Sequence, residues 1–536
     1  MSSSGARLGY VASISGSQVT GAIETTATQD KASAAGHAGA QVRIGALVKM
    51  QTPESVVYGI INGLHNAELA ASGVGSVDIG LMGEIMFDDT GTPSGVFERG
   101  VSIYPALGEE IFVADSDDLG RVYARSDKPD VRVGAFYQDA SIGAHLMTDD
   151  LMGKHFVVLG STGSGKSCTV ALLLRKVLES NQNGHIILLD PHNEYADAFG
   201  DWAEVINTSN LYLPYWLLNF EETAEIMCTG EGADRQAQMG ILKDALVDAR
   251  QMFQGDQKDT SYITIDTPVP YRLGDLKKII DNAMGQFNRA ESVGPFQRLL
   301  ARMESVSNDR RYAFMFSSRI VTDNLGEVLG RLLRMPVDGK PIAILDLSGV
   351  PSEIIDVVVS TMCRTIFEFS LWSAHPQTVP ILLVCEEAHR YVPARDDTGF
   401  GPTKQAIGRI AKEGRKYGVS LGLISQRPSE LSDSIISQCG TIIAFRMSND
   451  RDQNFVAKVL PETSQGLLSV LPALRTQEAV IVGDAIAVPM RVRFEDLAPE
   501  HRPRSGNAAF SESWQHDYDY DDFMRHTIER WRRQQR

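Results

Sequence analysis

The octapeptide GSTGSGKS, from Gly160 to Ser167, directly follows the apolar run HFVVL at 155–159. It fits the pattern G-x-x-x-x-G-K-[ST], which is typical of loops whose backbone N–H groups hold nucleotide phosphates. The segment that comes next, CTVALLLRKVL at 168–178, is rich in residues that favour helices. A buried strand, this loop and a helix in that order predict a binding site for a nucleoside triphosphate.

Each residue type in the octapeptide has a physical reason. Glycines permit backbone torsions and close approaches that a side chain would block. The following helix directs free N–H groups and the positive end of its dipole at the phosphates. Lys166 supplies a positive charge for the β- and γ-phosphates, and the hydroxyl of Ser167 is placed to ligate Mg²⁺. The predicted nucleotide-binding residues of this loop and the first helical turn are Gly160, Ser161, Thr162, Gly163, Ser164, Gly165, Lys166, Ser167 and Cys168.

The composition is that of a soluble globular protein, because 43% of the 536 residues are hydrophobic and 22% are charged. No apolar stretch approaches the roughly 20 residues that span a bilayer, and the N-terminus lacks the apolar core of a signal peptide. The five cysteines form no C-x-x-C pair, so neither a zinc site nor a disulfide framework is indicated. These features predict a cytoplasmic protein with no membrane partner.

The formal net charge of the chain is −17. Proteins that bind nucleic acid usually carry a basic surface, because they neutralise phosphates. The acidic balance therefore argues against a surface that coats DNA. It leaves open a positive groove, or a positive central channel in an assembly.

The distribution of apolar residues predicts three regions. Residues 1–140 read as short alternating segments broken by Gly, Ser, Pro and Asp, which is typical of a small β-barrel or sandwich. From 141 to 494, continuous apolar runs alternate with helical patterns, which favours an α/β fold with a parallel-rich sheet between helices. Within this region the strand signals vanish between about 205 and 335, which indicates a helical insertion. The tail from 495 to 536 is either a solvated terminus or a helix that docks on a neighbouring subunit.

An enzyme that hydrolyses a nucleotide on this loop needs acidic residues at the end of a second strand, for the Mg²⁺ shell and for the attacking water. Two stretches compete for this role. The run IAILD ends at Asp346 and is followed by Leu347, so it offers no base. The run ILLVCEEAH, at 381–389, ends in two carboxylates, which are costly to bury without a cation. We therefore assign Glu386 to Mg²⁺ and Glu387 as the general base.

The segment QAIGRIAKEGRKYG, at 405–418, predicts a helix with a cationic last turn. Its arginines either compensate the helix dipole, with a glycine cap at the end, or one of them stabilises charge on the γ-phosphate of an adjacent subunit. Arg409 and Arg415 are the candidates for this arginine finger. After the next apolar run, Gln426 stands at a predicted strand end, either as a γ-phosphate sensor or within a surface turn before Pro428.

Six motifs, in their order along the chain, resemble the HerA family of the HerA–FtsK ATPases. They are GSTGSGKS (160–167), DPHNEY (190–195), LPYWLLNFEE (213–222), EEAHRYVP (386–393), RIAKEGRKYG (409–418) and SQRP (425–428). The N-terminal region, with GVSIYPALG at 100–108, is similar to the HAS-barrel of that family. The resemblance implies a RecA-like P-loop ATPase core with an N-terminal small β-barrel.

The same resemblance implies roles for individual residues. It assigns the two-acid Walker B site to Glu386 and Glu387, the sensor to Gln426 and the trans-acting arginine to the helix of Arg409 and Arg415. It also implies a place beside the nucleotide for Asp190. One departure is His192-Asn193, where the family often has His-Gly. We expect a local change of the loop there, without loss of catalysis.

The resemblance further implies a homohexameric ring that hydrolyses ATP with Mg²⁺ between subunits and moves double-stranded DNA through its central channel. It implies a partner, typically a NurA-like nuclease, whereas related ATPases of bacterial anti-phage defence pair with other effectors. The alternative function is an ATPase ring that assembles and regulates an effector, with little DNA motion of its own. A metabolic P-loop kinase is disfavoured, because no acceptor-substrate motif accompanies the arginine helix.

Overall fold

The structure, a computed structural model, describes residues 6–23, 42–65, 75–93, 96–124, 127–255, 259–285, 290–316, 321–351, 353–373, 378–395, 399–460, 465–504, 510–516 and 520–533. The chain forms two compact units. The first comprises Met1–Ser180 and Leu421–Pro499, and the second comprises Asn181–Ser420 and Glu500–Arg536. Among the described residues, no helix combines the length and the apolar character that crossing a membrane requires.

Strands and helices are numbered along the chain. The strands within the described residues are β1 (Arg7–Ser15), β2 (Gln18–Ile23), β3 (Leu47–Gln51), β4 (Ser55–His65), β5 (Gly75–Met86), β6 (Glu98–Arg99), β7 (Glu110–Val113), β8 (Asp130–Phe136), β9 (Gly143–Met147), β10 (Phe156–Leu159), β11 (Ile186–Asp190), β12 (Ala203–Ile206), β13 (Ile342–Asp346), β14 (Ile381–Cys385), β15 (Val419–Ser425), β16 (Thr441–Phe445), β17 (Glu478–Gly483) and β18 (Met490–Phe494). The helices there are α1 (Ser116–Val122), α2 (Thr148–Gly153), α3 (Lys166–Ser180), α4 (Ala196–Phe199), α5 (Phe220–Met227), α6 (Gly232–Gln254), α7 (Leu273–Met284), α8 (Ala290–Asn308), α9 (Ala313–Phe316), α10 (Leu325–Leu333), α11 (Ile355–Trp372), α12 (Gly401–Glu413), α13 (Asp433–Ile436), α14 (Asp450–Val459), α15 (Gln465–Leu468), α16 (Phe510–Ser513) and α17 (Arg525–Arg533).

The N-terminal strands form a closed antiparallel barrel. Its strands follow one another in the order β2-β1-β7-β3-β4-β5, and β5 pairs with β2 again. Alternate side chains point inward and form an apolar core that includes Val48, Val57, Ile61, Val77 and Ile111. Closure leaves no free strand edge in the ring, which protects the barrel from pairing with other chains. The barrel that the sequence predicts in this region is confirmed.

A second sheet of the first unit centres on β10, whose side chains are all buried. β10 pairs in parallel with β15 on one side and with β16 on the other. Antiparallel pairing then extends the sheet from β16 through β17, β18 and β8 to β9. Each fully buried Val, Leu or Phe of β10 contributes about 1.5–3 kcal/mol to folding. The predicted domain limit at residue 140 falls inside the β8–β9 hairpin, because β8 bonds to β18 and not to a barrel strand.

In the second unit, β11 to β14 run parallel in the order β12-β13-β11-β14. Every residue of β11 and β14 is buried. Their continuous apolar runs therefore mark strands that are covered on both faces, as predicted. Because the strands are parallel, their carboxyl ends share one edge, where the chain places Asp190, Asp346 and Glu386.

The helical insertion predicted between about 205 and 335 contains α5 to α10. A buried ion pair joins α5 to α11. The carboxylate of Glu222, which is 0% exposed, accepts hydrogen bonds from Ser360 Oγ at 2.8 Å and from Arg364 Nη2 at 2.9 Å. Glu222 also forms a capping box with Asn219, whose backbone N–H donates to Glu222 Oε2 at 3.0 Å. One carboxylate thus stabilises both the start of α5 and its tertiary contact.

The C-terminal tail contains α16 and α17. Two of its aromatic side chains are largely exposed, Trp514 at 79% and Trp531 at 74%. Residues 505–509 and 517–519, which include part of the acidic stretch, lie outside the described residues. The docking role of this tail stays a prediction.

Candidate functional site

The phosphate loop follows β10 and is tied to the ends of both neighbouring strands. The backbone N–H of Gly160 donates to Ser425 O, at the end of β15, at 3.3 Å. The N–H and the hydroxyl of Ser161 both donate to Arg446 O, just beyond β16, at 2.9 Å. The three parallel strands therefore hold the start of the loop at their common carboxyl edge.

Two glycines of the loop occupy places that no other residue fits. Gly160 has a φ of +156°, and a Cβ there would lie 2.5 Å from Phe445 Cβ. Gly165 has a φ of +107°, and its Cβ would lie 3.2 Å from the backbone N of Gln477. Positive φ and close neighbours both require glycine at these positions. The glycine pattern of the motif is thereby explained by the packing around the loop.

Two side chains of the loop turn back onto its own backbone. Lys166 Nζ donates to Ser161 O at 2.9 Å, and Ser164 Oγ donates to the same carbonyl oxygen at 2.7 Å. α3 begins at Lys166, and the N–H of Thr169 donates to Gly165 O at 3.0 Å. The first N–H groups of a helix point along its axis and suit phosphate oxygens. A loop at a helix start, with a lysine and the half-buried hydroxyl of Ser167, fits a nucleotide with Mg²⁺.

Gln426 follows β15 directly and contacts the phosphate loop. Its Oε1 accepts a hydrogen bond from the hydroxyl of Thr162. The next residue, Arg427, donates its backbone N–H to Ser425 Oγ at 3.0 Å. The sequence leaves two roles open for Gln426, a γ-phosphate sensor and a residue of a surface turn. Its contact with the phosphate loop favours the sensor.

In the second unit, Glu386 and Glu387 follow β14, and they are 5% and 8% exposed. The N–H of Glu386 donates to Leu189 O of β11 at 3.2 Å, which extends the strand pairing by one residue. Glu387 then turns into the left-handed region, with φ of 52° and ψ of 45°. This conformation costs a residue with a side chain about 1–2 kcal/mol, and such strain is concentrated at functional sites.

The competing acid, Asp346, has a local structural role. It ends β13, and its Oδ1 accepts the backbone N–H of Ser348 at 2.9 Å. An aspartate that stabilises the turn behind its own strand is a common arrangement. The described contacts therefore favour Glu386 and Glu387 over Asp346 for catalysis.

Two histidines flank the Glu387 carboxylate. His389 Nδ1 lies 3.2 Å from Glu387 Oε2, and His192 Nε2 lies 3.9 Å from Glu387 Oε1. His389 follows two residues after the glutamate, whereas His192 comes from the loop after β11. Both histidines lie within the quoted motifs DPHNEY and EEAHRYVP, which imply no role for them. The position of His389, two residues beyond the acid pair, could have pointed to its place beside Glu387. No local sequence signal marks His192.

Asp190 ends β11 and is 0% exposed. Its carboxylate accepts the backbone N–H of His192 at 3.2 Å and that of Tyr195 at 3.0 Å. Burial raises the pKa of this carboxyl, and the hydrogen bonds from the loop N–H groups only partly offset the rise. The described contacts give Asp190 a positioning role for the loop that carries His192; contact with the nucleotide itself stays a prediction.

The sequence departs at Asn193, in the same loop, from the HerA pattern that its motifs resemble. Asn193 has a φ of +56°, a left-handed conformation that glycine adopts freely and that asparagine tolerates better than most residues. Asparagine is therefore compatible with a backbone that suits glycine. The sequence predicts a local change of the loop where asparagine replaces glycine. The backbone of Asn193 does not support that prediction, because its conformation is one that glycine also adopts.

Substitution at Asn193 should report this backbone requirement. Asn193→Gly is expected to change the free energy of unfolding by less than about 0.5 kcal/mol, whereas Asn193→Ala should lower it by about 1 kcal/mol. Thermal unfolding of the two variants beside the parent chain measures both effects. Equal melting temperatures for the alanine and glycine variants would contradict a strained left-handed residue here.

The two candidate finger arginines differ in their surroundings. The guanidinium of Arg409, on α12, lies 4.5 Å from the ring centroid of Phe367, and its Nε lies 3.8 Å from Glu413 Oε2. Arg415 is exposed, in the turn Gly414–Tyr417 that follows α12. Gly418 ends this turn with a φ of +77°, as the predicted glycine cap requires. Both side chains are exposed, Arg409 at 49%, but Arg409 contacts Phe367 and Glu413 within its own unit.

Comparison with known proteins extends these observations. Residues 131–366 match the family model described as helicase HerA, central domain. The DNA double-strand break repair helicase HerA of Pyrococcus furiosus is 26% identical over 440 residues, which cover 75% of this chain and 75% of that protein. The probable DNA double-strand break repair helicase HerA of Methanocaldococcus jannaschii is 26% identical over 435 residues, which cover 72% of this chain and 80% of that protein. Among solved structures, VirB4 of Thermoanaerobacter pseudethanolicus has a TM-score of 0.49 at 16% identity, covering 70% of this chain and 98% of that one.

The matched family region begins in β8 and ends within α11. It therefore contains the phosphate loop, the loop of Asp190 and the helical insertion. The two relatives align with about three quarters of the chain, well beyond that region. This agreement joins the six motifs, the closed N-terminal barrel and the phosphate loop: the chain is a P-loop ATPase of the helicase class that is similar to the HerA helicases over about three quarters of its length.

Proposed function

We propose that this chain is an ATP-driven translocase of double-stranded DNA that works as a homohexameric ring with a NurA-like nuclease or another effector. One observation carries the proposal. A phosphate loop and two buried carboxylates occur in a chain that aligns over 75% of its length with a DNA double-strand break repair helicase. The effector decides whether the ring acts in DNA end processing or in anti-phage defence.

The residues divide the work of hydrolysis between them. Lys166 and the N–H groups at the start of α3 bind the β- and γ-phosphates, and Thr162 orients Gln426 toward the same loop. Ser167 of the first unit and Glu386 of the second would each offer Mg²⁺ an oxygen ligand of the type that it prefers. When bound, Mg²⁺ neutralises charge that develops on the phosphates. Glu387, a buried carboxylate directly behind β14, accepts the proton of the attacking water.

Between the two arginines, Arg415 is the better candidate for a finger that acts on the next subunit. A finger must leave its own subunit and reach a neighbouring phosphate. Arg409 would first have to give up its contact with the Phe367 ring, which is worth about 0.5–2 kcal/mol. The exposed guanidinium of Arg415 has no such contact to lose among the described residues.

Mixed rings test the finger. Glu387→Gln and Arg415→Ala chains should each be nearly inactive alone, whereas an equimolar mixture should recover activity at about a quarter of the subunit interfaces, where an intact glutamate meets an intact arginine from the neighbour. The ATP turnover of the mixture against the mean of its two components is the measurement. Arg409→Ala is the matched control and should keep most turnover. A mixture that shows no recovery would refute catalysis in trans.

The DNA part of the proposal is tested by ATP turnover with and without linear double-stranded DNA, together with displacement of a triplex-forming strand ahead of the moving protein. We expect DNA to stimulate turnover and the third strand to be displaced. Lys166→Ala should abolish both signals. Sedimentation of the protein with ATP and Mg²⁺ tests the hexamer.

The net charge of −17 favours a second candidate, an ATPase ring that assembles and regulates an effector with little DNA motion. This candidate predicts ATP turnover that responds to the effector protein but not to DNA. If DNA changes neither turnover nor the triplex, with and without the effector, the translocase proposal is wrong and the scaffold is favoured.

A further inference from the structure

A turn at residues 475–478 packs against the phosphate loop. The backbone N–H of Gln477 donates to Ser164 O at 3.0 Å. A Cβ on Gly165 would lie 3.2 Å from Gln477 N and 3.4 Å from Gln477 Cα. The loop and the turn both belong to the first unit. The turn therefore contacts the loop directly ahead of Lys166, where α3 begins.

Gln477 makes this contact in a left-handed backbone conformation, with a φ of +66°. Such a conformation is unfavourable for a residue with a side chain, and it persists only where the surroundings fix it. Here the N–H of Phe494, in β18, donates to Gln477 O at 3.0 Å, and Gln477 Nε2 donates to Asp496 Oδ1 at 2.8 Å. The structure thus holds a strained residue in place where it meets the phosphate loop.

The buried carboxylate of Glu478, which is 3% exposed, closes the turn. The N–H of Glu478 donates to Arg475 O at 3.1 Å, and Glu478 Oε2 accepts the N–H of Arg475 at 3.1 Å. Arg491 Nη2 donates to the same carboxylate oxygen at 2.6 Å, which joins β17 to β18. The Arg491 guanidinium also lies 3.5 Å from the ring centroid of Tyr137. These contacts make the turn a firm support for the loop beside it.

The contact with Gln477 sets the direction of one N–H group of the phosphate loop. Ser164 and Gly165 share a peptide group, whose carbonyl and N–H point in opposite directions because the peptide is planar and trans. The Ser164 carbonyl points at Gln477, so the N–H of Gly165 points away from the turn. Backbone N–H groups of this kind of loop bind phosphate oxygens. A displaced turn would therefore turn one phosphate donor away from its acceptor.

We propose that Gln477 is a positioning residue for nucleotide binding, whose backbone N–H holds Ser164 O and thereby directs the Gly165 N–H at a phosphate oxygen. The inference rests on the proposed binding of ATP by the phosphate loop, and Gln477 acts through that loop. A phosphate contact that exists both before and during hydrolysis contributes equally to the two states. Its loss should therefore raise the KM for ATP and leave kcat nearly unchanged.

Substitutions that differ in their tolerance of positive φ test this role. Gln477→Gly keeps the N–H and adopts the conformation freely, so the KM and the dissociation constant of ATP should stay within about twofold of the parent. In Gln477→Val both constants should rise about tenfold, with kcat within about threefold of the parent, because β-branched residues strongly disfavour this conformation. Gln477→Ala should raise both constants about threefold, and it serves if the valine variant does not fold. Steady-state turnover of the full chain with Mg²⁺-ATP, and titration with a fluorescent ATP analogue, give the three constants.

Two controls separate positioning from stability. Asp338 also has a positive φ, +49°, in a turn ahead of β13 where the N–H of Lys340 donates to Val337 O at 2.9 Å. Asp338→Val should lower the melting temperature, as Gln477→Val does, and leave the KM for ATP unchanged. Asp496→Ala removes only the partner of the Gln477 side chain, and it should also leave the KM unchanged.

Three results would overturn the inference. The first is parent affinity for ATP in both Gln477→Val and Gln477→Ala, and the second is a loss that appears in kcat alone, as a partly unfolded sample would give. The third is a Gln477→Gly variant as weak as the valine variant, because the side chain and not the backbone would then be responsible. If Lys166→Ala binds ATP as tightly as the parent, the assignment of the phosphate loop has failed instead.

Discussion

Replacing Glu387 by glutamine is expected to lower ATP turnover by about two to four orders of magnitude, the range that a positioned general base contributes. Glutamine has nearly the same size but cannot accept a proton from water. The affinity for ATP should therefore change little, because the phosphate loop and Lys166 remain intact. Steady-state turnover and the dissociation constant of a fluorescent ATP analogue measure the two quantities separately.

Asp346→Asn is the control for this experiment, since Asp346 ends a parallel strand in the same unit. Its carboxylate supports the turn at Ser348, and an asparagine oxygen can accept the same N–H. Turnover in this variant should stay within about threefold of the parent. Loss of turnover in Asp346→Asn with activity retained in Glu387→Gln would reverse the assignment of the acidic strand.

Replacing Arg364 by alanine is expected to lower the stability of the second unit by about 3–5 kcal/mol. The substitution leaves the Glu222 carboxylate, which is 0% exposed, without its cationic partner. Burial lowers the pKa of the Arg364 guanidinium, but the carboxylates of Glu222 and Glu368 together raise it by more. The pKa is therefore above its ordinary value. The ion pair therefore persists at neutral pH. Thermal unfolding and hydrogen exchange in α5 and α11 measure the loss.

Two variants sharpen this test. Lys278→Ala removes an exposed partner of Asp275, 3.8 Å away on α7, and should cost less than about 0.5 kcal/mol. The double variant Glu222→Gln with Arg364→Met removes both charges and should be less destabilised than Arg364→Ala alone. If the double variant is the less stable of the two, the cost of an unpaired buried charge is not the cause.

Much of the fold follows from local sequence patterns. Alternating segments before residue 140 predict the barrel strands, and unbroken apolar runs predict the parallel strands β10, β11 and β14. The sequence pattern does not specify which sheet β8 joins, because β8 has the pattern of any short strand. Its place is decided by hydrogen bonds to β18, more than 350 residues away in the chain.

In the candidate site, too, some features follow from local sequence and others only from tertiary contacts. The octapeptide 160–167 and the pair Glu386-Glu387 are recognisable from residue type and spacing, since phosphates and Mg²⁺ demand those groups wherever they bind. The contact of Arg409 with Phe367 has no such signal. It depends on how α11 and α12 pack, and it distinguishes two arginines that look alike in the sequence.

The sequence by itself determined the nucleotide loop, the acidic strand end and the alternation of buried strands and helices, because these depend on chemistry and periodicity over a few residues. The tertiary structure alone decided that Glu387 takes a left-handed backbone conformation, that Gln426 contacts Thr162 and that His192 faces Glu387. These contacts join residues far apart in the chain, or depend on backbone torsions that residue type does not specify. The order of the parallel strands places them together, and that order is a property of the folded sheet.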